Sequence, residues 1–195
     1  MQIQFEAHRL AEALSALLWS GRTYRLGAKL GLGIPPARAR ESTGAIDCSG
    51  FTRWVLHHAS NGHLSLSGGT MSQRAQLEAL GYEPVPTEEI AARQLREDQH
   101  LRIGFRGTEY ARNADGSYAR DGERLVVEEV GHVWLVIDGM TFESSERLNG
   151  NGPMVTDSRD QRTDGDFLFN LGPVPGWRQS SYDILFAHDA ALNHA

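Results

Sequence analysis

The chain has 195 residues, long enough to bury a core as one domain without metal or disulfide support, and its 40% hydrophobic and 23% charged composition is that of an ordinary folded protein. Its 19 basic against 25 acidic side chains give a net charge of −6, with no stretch rich enough in Lys and Arg to follow a nucleic-acid backbone, so nucleic acid is not expected as a partner. A single cysteine, Cys48, excludes an intramolecular disulfide and a cysteine-built zinc site, and no metal or cofactor is expected.

In chain order, residues 5–19 place Phe5, Leu10, Leu14, Leu17 and Leu18 mostly three and four apart, which predicts an amphipathic helix stopped by Gly21. Four glycines and a Pro-Pro pair in "YRLGAKLGLGIPPARARESTG" predict a long irregular connection lining a cleft. After Cys48, the spacing of Phe51, Trp54, Val55 and Leu56 predicts a three-turn helix ending near "SNG". A short helix is expected over 72–80, closed by Gly81, and a helix or turn in "TEEIAARQLREDQ". "HLRIGFRG", "ERLVVEEVGHVWLVIDGMTFESS" and "SYDILFAH" carry β-branched and aromatic runs, and Asp138-Gly139 is a strong hairpin signal. The span 146–177, rich in Gly and Pro, is expected to be a long surface excursion. Helices first and strands later make an α+β domain covering 1–195.

Cys48 poses the chemical question. At a helix start, unpaired N–H groups and the helix dipole favour a thiolate, and Asp47, Ser49 and Gly50 suit such a start, Gly50 by allowing close backbone approach. A buried packing role is the competing reading of a lone cysteine. Among eight histidines, His57 and His58 lie two or more turns up the same helix, too far to serve Cys48, while His132 opens the run "VWLVI" and would project from the start of a central strand. On the next strand Glu143 is positioned to hold that imidazole, with Asp47 and Glu129 as alternatives. Arg38 and Arg40 would either meet substrate carboxylates or simply solubilise their loop, and Trp54, Trp134 and Trp177 read as packing residues.

These residues resemble the NlpC/P60 family of papain-like cysteine peptidases. "DCSGF" at 47–51 is similar to that family's nucleophile motif, "GHVWLVIDG" at 131–139 to its base motif, and "TFESS" puts Glu143 where the family most often has His. "YRLG" at 24–27 resembles the upstream segment whose tyrosine shapes the oxyanion site, matched here by Tyr24. The resemblance implies a papain-like fold, with N-terminal helices carrying the nucleophile against a C-terminal antiparallel sheet. It also implies hydrolysis of an amide in peptidoglycan stem peptides, with peptidoglycan fragments or muropeptides as partners. An acyltransferase or amidase on another substrate, or a non-catalytic phage or secretion module, are the alternatives. The N-terminus lacks the order of a secretory leader and no transmembrane segment is apparent, so the chain is expected to be cytoplasmic as made. Reaching a wall would then require a delivery apparatus, and an immunity protein is a further conceivable partner.

Overall fold

The computed structural model describes residues 3–86, 89, 98–146, 151–156 and 167–186. Four helices come first: α1 (Ala7–Leu18), α2 (Pro36–Glu41), α3 (Cys48–Ala59) and α4 (Thr70–Ala79). Strands follow as β1 (Pro84–Pro86), β2 (His100–Arg106), β3 (Glu109–Tyr110), β4 (Arg120–Asp121), β5 (Arg124–Leu125), β6 (Val127–Glu129), β7 (His132–Ile137), β8 (Met140–Ser145), β9 (Gly152–Thr156) and β10 (Phe167–Pro173). A short helix α5 (Trp177–Ser181) runs into a π-helical turn, Tyr182–Phe186. The helical N-terminal region packs against an antiparallel sheet, the α+β arrangement expected from the order of the elements.

Helix α1 buries Leu10, Leu14 and Leu17 as its spacing requires, and its small residues Ala11, Ala13 and Ala16 are buried as well. They let it sit among α2, α3 and α5 as a central helix. It ends at Leu18, and Gly21 takes a left-handed φ of 66°. The connection to α3 is not wholly irregular. Pro36 opens α2, where the missing proline N–H costs nothing, and a parallel bridge between Thr23 and Ala45 folds the connection back on itself.

Among the described residues the main sheet has six strands in the order β1-β10-β2-β7-β8-β9, antiparallel throughout. Val133, Leu135, Ile137 and Phe142 join Phe51, Val55 and Leu56 of α3 in one apolar core. The opposite face carries a smaller cluster of Trp134, Val136 and Leu168. Asp138 and Gly139 both have positive φ, 51° and 78°, the two-residue turn whose twist suits a tight hairpin.

Three expectations need correction. The 146–177 span is not free of regular structure, since its described parts supply β9 and β10, and β10 lies between β1 and β2 with Leu168, Phe169 and Leu171 buried, while 147–150 and 157–166 lie outside the described residues. "SYDILFAH" is helical as far as it is described, through Ser181 and the turn to Phe186. That turn packs on α1 with Leu185 buried, so tertiary contact decides a short apolar run that fits either period. "ERLVV" stays outside the main sheet, in small two-strand ribbons where Val126 and Val127 are exposed. Most of "TEEIAARQLREDQ" lies outside the described residues.

Candidate active site

Cys48 is the first residue of α3 and is 3% exposed. Its helix starts there because Asp47 holds extended backbone and its carboxylate accepts a hydrogen bond from the Gly50 N–H at 2.6 Å. Gly50 is required, for a Cβ at that position would stand 2.8 Å from the Ala28 carbonyl oxygen. The Asp47 N–H donates to that same carbonyl, so the upstream loop and the helix start are locked together.

His132 opens β7 and is buried. Its placement beside Glu143 follows from the hairpin. The pairs Ile137–Met140, Val136–Thr141 and Leu135–Phe142 continue to set Glu143 opposite Trp134. That makes Glu143 the diagonal neighbour of His132 on one face, within reach of a long side chain. His132 Nε2 hydrogen-bonds Glu143 Oε2, and Glu143 is fully buried. An ionised carboxylate only accepts, so Nε2 carries the proton in that contact and Nδ1 is the nitrogen left open to a second group. Burial alone pulls the imidazole pKa down, but the hydrogen bonds and charges of Cys48 and Glu143 outweigh it, and the pKa is raised above 6.5. Trp134 stacks near the same ring, with centroids 5.9 Å apart and planes 20° from parallel. Gly104 makes room for that indole, because a Cβ there would meet Trp134 at 2.3 Å.

The Thr23–Ala45 bridge and the Ile46 N–H to Thr23 carbonyl bond bring the Tyr24 segment alongside residues 45–47, although Tyr24 does not line the cleft at Cys48. Its phenol is pushed up to about 12, by burial first and then by the charges of Cys48, Asp47 and Glu146. The hydroxyl therefore stays a proton donor across the neutral range. The Tyr24 N–H donates to the Asn151 side chain at 2.9 Å.

The other candidates fall elsewhere. Asp47 faces Gly27, Lys29, Ser49 and Gly50, with no bond to His132 among its contacts. Glu129 belongs to β6, where its backbone pairs with Glu109 of β3. His57 bonds Ser65, and His58 packs against Trp54. Arg40 reaches Ser15 of α1 at 2.9 Å and Arg38 is exposed, so neither lines the cleft at Cys48. Trp54, Trp134 and Trp177 are buried. Among the described residues no group of three His, Cys, Asp or Glu side chains could hold a metal ion, and no helix is long and apolar enough to cross a membrane.

A cleft of about 500 Å³ opens on Cys48, with Leu26 and Lys29 on one side, Met71 on the first turn of α4, and Val130 just before β7. Lys29 and the α4 wall escape a reading of the sequence. A lysine inside a glycine-rich stretch and an ordinary Gly-Gly-Thr helix start carry no spacing signal that ties them to Cys48. Together the groups form a thiol, an imidazole and a carboxylate in series, with a protonated phenol and a helix N-terminus nearby. Such a set can form and break an acyl bond to sulfur.

Two solved structures are similar to this chain. The P60 domain of an antigen from M. avium subspecies paratuberculosis is 16% identical, with 85% of this chain and 93% of that one covered and a TM-score of 0.43. NlpC2 from Trichomonas vaginalis is 13% identical, with 86% of this chain and 47% of that one covered and a TM-score of 0.42. No protein-family model matches the sequence. No curated protein matches it either.

Proposed function

We propose that the chain is a cysteine hydrolase of the NlpC/P60 kind, cutting an amide bond in peptidoglycan stem peptides through a thioester on Cys48. The observation that carries this reading is the buried imidazole of His132, bonded to a buried carboxylate and with its pKa raised by the influence of the only cysteine and of that carboxylate. A cysteine that merely filled the core would have no use for a partner whose burial is costly.

In the proposed reaction His132 takes the Cys48 proton, and the thiolate attacks the amide carbonyl. Negative charge develops on the carbonyl oxygen, where backbone N–H groups at the α3 start and the Tyr24 hydroxyl are donors. The imidazolium protonates the departing amine, the C–N bond breaks, and the acyl group stays on sulfur. Water, deprotonated by His132, then releases the acid and restores the thiol. Glu143 accepts from Nε2 at every step, fixing the tautomer and favouring the charged ring. The cell-wall substrate rests on the likeness of "DCSGF" and "GHVWLVIDG" to the family's motifs. Residues 1–195 act as one catalytic domain in this reading, with peptidoglycan fragments as its partner.

Digestion of purified peptidoglycan by the wild-type chain and by Cys48→Ala, followed by mass spectrometry of the fragments, tests the proposal. New peptide termini are expected from the wild type alone. Equal products from both proteins would refute it.

A further inference from the structure

The α3 start holds a charge arrangement that the proposed reaction does not use. Asp47 immediately precedes Cys48, and its carboxylate is 3% exposed. It has a structural task there, accepting from the N–H groups of Gly27 at 2.9 Å and Gly50 at 2.6 Å and from the Ser49 hydroxyl at 3.1 Å. A buried anion beside the nucleophile opposes the formation of a second anion on sulfur. Lys29 comes over from the α1–α2 connection and bonds both Asp47 oxygens, with a further bond to Ser49 Oγ at 2.6 Å. Its side chain is 26% exposed and lines the same cleft as Cys48.

The remaining groups facing the thiol are few. Tyr24 is neutral, His132 comes from β7, and Glu143 stands behind it on β8. The first turn of α4, Thr70 to Gln73, contributes no titratable side chain, and neither do Thr108, Val130 or Gly131 on the remaining wall. Glu146 acts on Tyr24, and Arg106 of β2 pairs with His132 in the sheet register. With Lys29 present, Asp47 is matched by an ammonium, as Glu143 is by the imidazole once that is charged. Without it, the thiolate would form against an unmatched buried carboxylate.

We infer that Lys29 is a positioning residue of the nucleophile, neutralising Asp47 so that the carboxylate can cap α3 without suppressing the Cys48 thiolate. The inference rests on the reading of Cys48 and His132 as a reacting pair. It extends the site to a residue eighteen positions upstream of Asp47 that touches this acid beside the nucleophile and not the nucleophile's base.

The experiment follows the rate of Cys48 alkylation by iodoacetamide between pH 5 and 10, read by intact mass, which needs no substrate and has only one thiol to report. Lys29→Gln keeps a hydrogen-bond donor and removes the charge. It is expected to react about tenfold more slowly at pH 7 and to approach the wild-type rate at pH 10, as reactivity follows the thiolate fraction. Lys29→Arg should keep the wild-type profile. Lys29→Gln with Asp47→Asn, which removes both charges and leaves an oxygen to cap Gly50, should recover most of the lost rate. A Lys29→Gln profile that superimposes on the wild type overturns the inference, and so does a double variant slower than the single. His132→Ala separates this from failure of the underlying reading. If that variant alkylates like the wild type, Cys48 and His132 do not react as a pair, and both proposals fall.

Discussion

The contact between His132 and Glu143 invites the most informative perturbation. Glu143→Gln preserves shape and a hydrogen-bond acceptor while removing a buried charge from Nε2. Glu143 is fully buried and His132 is 7% exposed, so water replaces little of what is lost. A buried hydrogen bond to a charged group contributes about 1.5–3 kcal/mol, and at about 1.4 kcal/mol per factor of ten this amounts to roughly a ten- to hundredfold loss of the thiolate–imidazolium pair. The sign follows from the causes of the His132 shift. Burial lowers its pKa, and Cys48 and Glu143 together raise it above 6.5. Without the Glu143 charge one of the two raising influences is gone while burial persists, so the imidazolium is lost at lower pH than in the wild type. The alkaline limb of a pH–rate profile should therefore move toward acid, and the alkylation rate of Cys48 at pH 7 should fall. Cleavage of a peptidoglycan fragment across pH 5–10 reads the alkaline limb in both proteins, because the imidazolium must protonate the leaving amine, and iodoacetamide kinetics at pH 7 read the thiolate. An unchanged alkaline limb in Glu143→Gln would falsify the placement of the carboxylate as the orienting group.

Three further outcomes are expected. Tyr24→Phe should lower kcat on a cleaved peptidoglycan fragment by about a hundredfold with little change in KM, as for loss of one oxyanion donor, and a wild-type kcat removes Tyr24 from the site. Gly104→Ala forces a Cβ to within 2.3 Å of the Trp134 ring, so urea unfolding should show a loss of about 1–3 kcal/mol from overpacking, with a change in tryptophan fluorescence reporting the displaced indole. For stability against pH, the raised His132 pKa means that its contribution is fully present below 6.5 and is lost as pH rises through the folded-state value. The difference in Tm between the wild type and His132→Gln should therefore be largest near pH 6 and shrink toward pH 9, and a difference that grows with pH contradicts the assignment.

How far the sequence reveals this molecule depends on how local each cause is. The start of α3 is legible because Asp47, Ser49 and Gly50 act within one turn, and Gly50 meets a backbone carbonyl that leaves no room for a side chain. The β7–β8 hairpin is legible because Asp138-Gly139 sets its own turn, and the turn then sets the register that puts Glu143 diagonal to His132. Strand β10 is obscured for the opposite reason. Its Gly172 and Pro173 read as loop, its register shifts between Asn170 and Gly172, and its place between β1 and β2 is fixed only by partners far away in the chain.

Lys29 marks the limit more sharply, because nothing within several residues of it signals a task. Its role exists only once the Thr23–Ala45 bridge has folded the connection back and the Ala28 carbonyl has accepted the Asp47 N–H. The same two contacts bring Tyr24 within the electrostatic influence of Cys48, although twenty-three residues and a helix separate them in sequence. The connection between α1 and α3 is thus a wall of the site, and changes to its length that spare the bridge should be tolerated at α2 and not at residues 23–29. An insertion within α2 that abolished Cys48 alkylation in a folded protein would show that the bridge alone does not set the site.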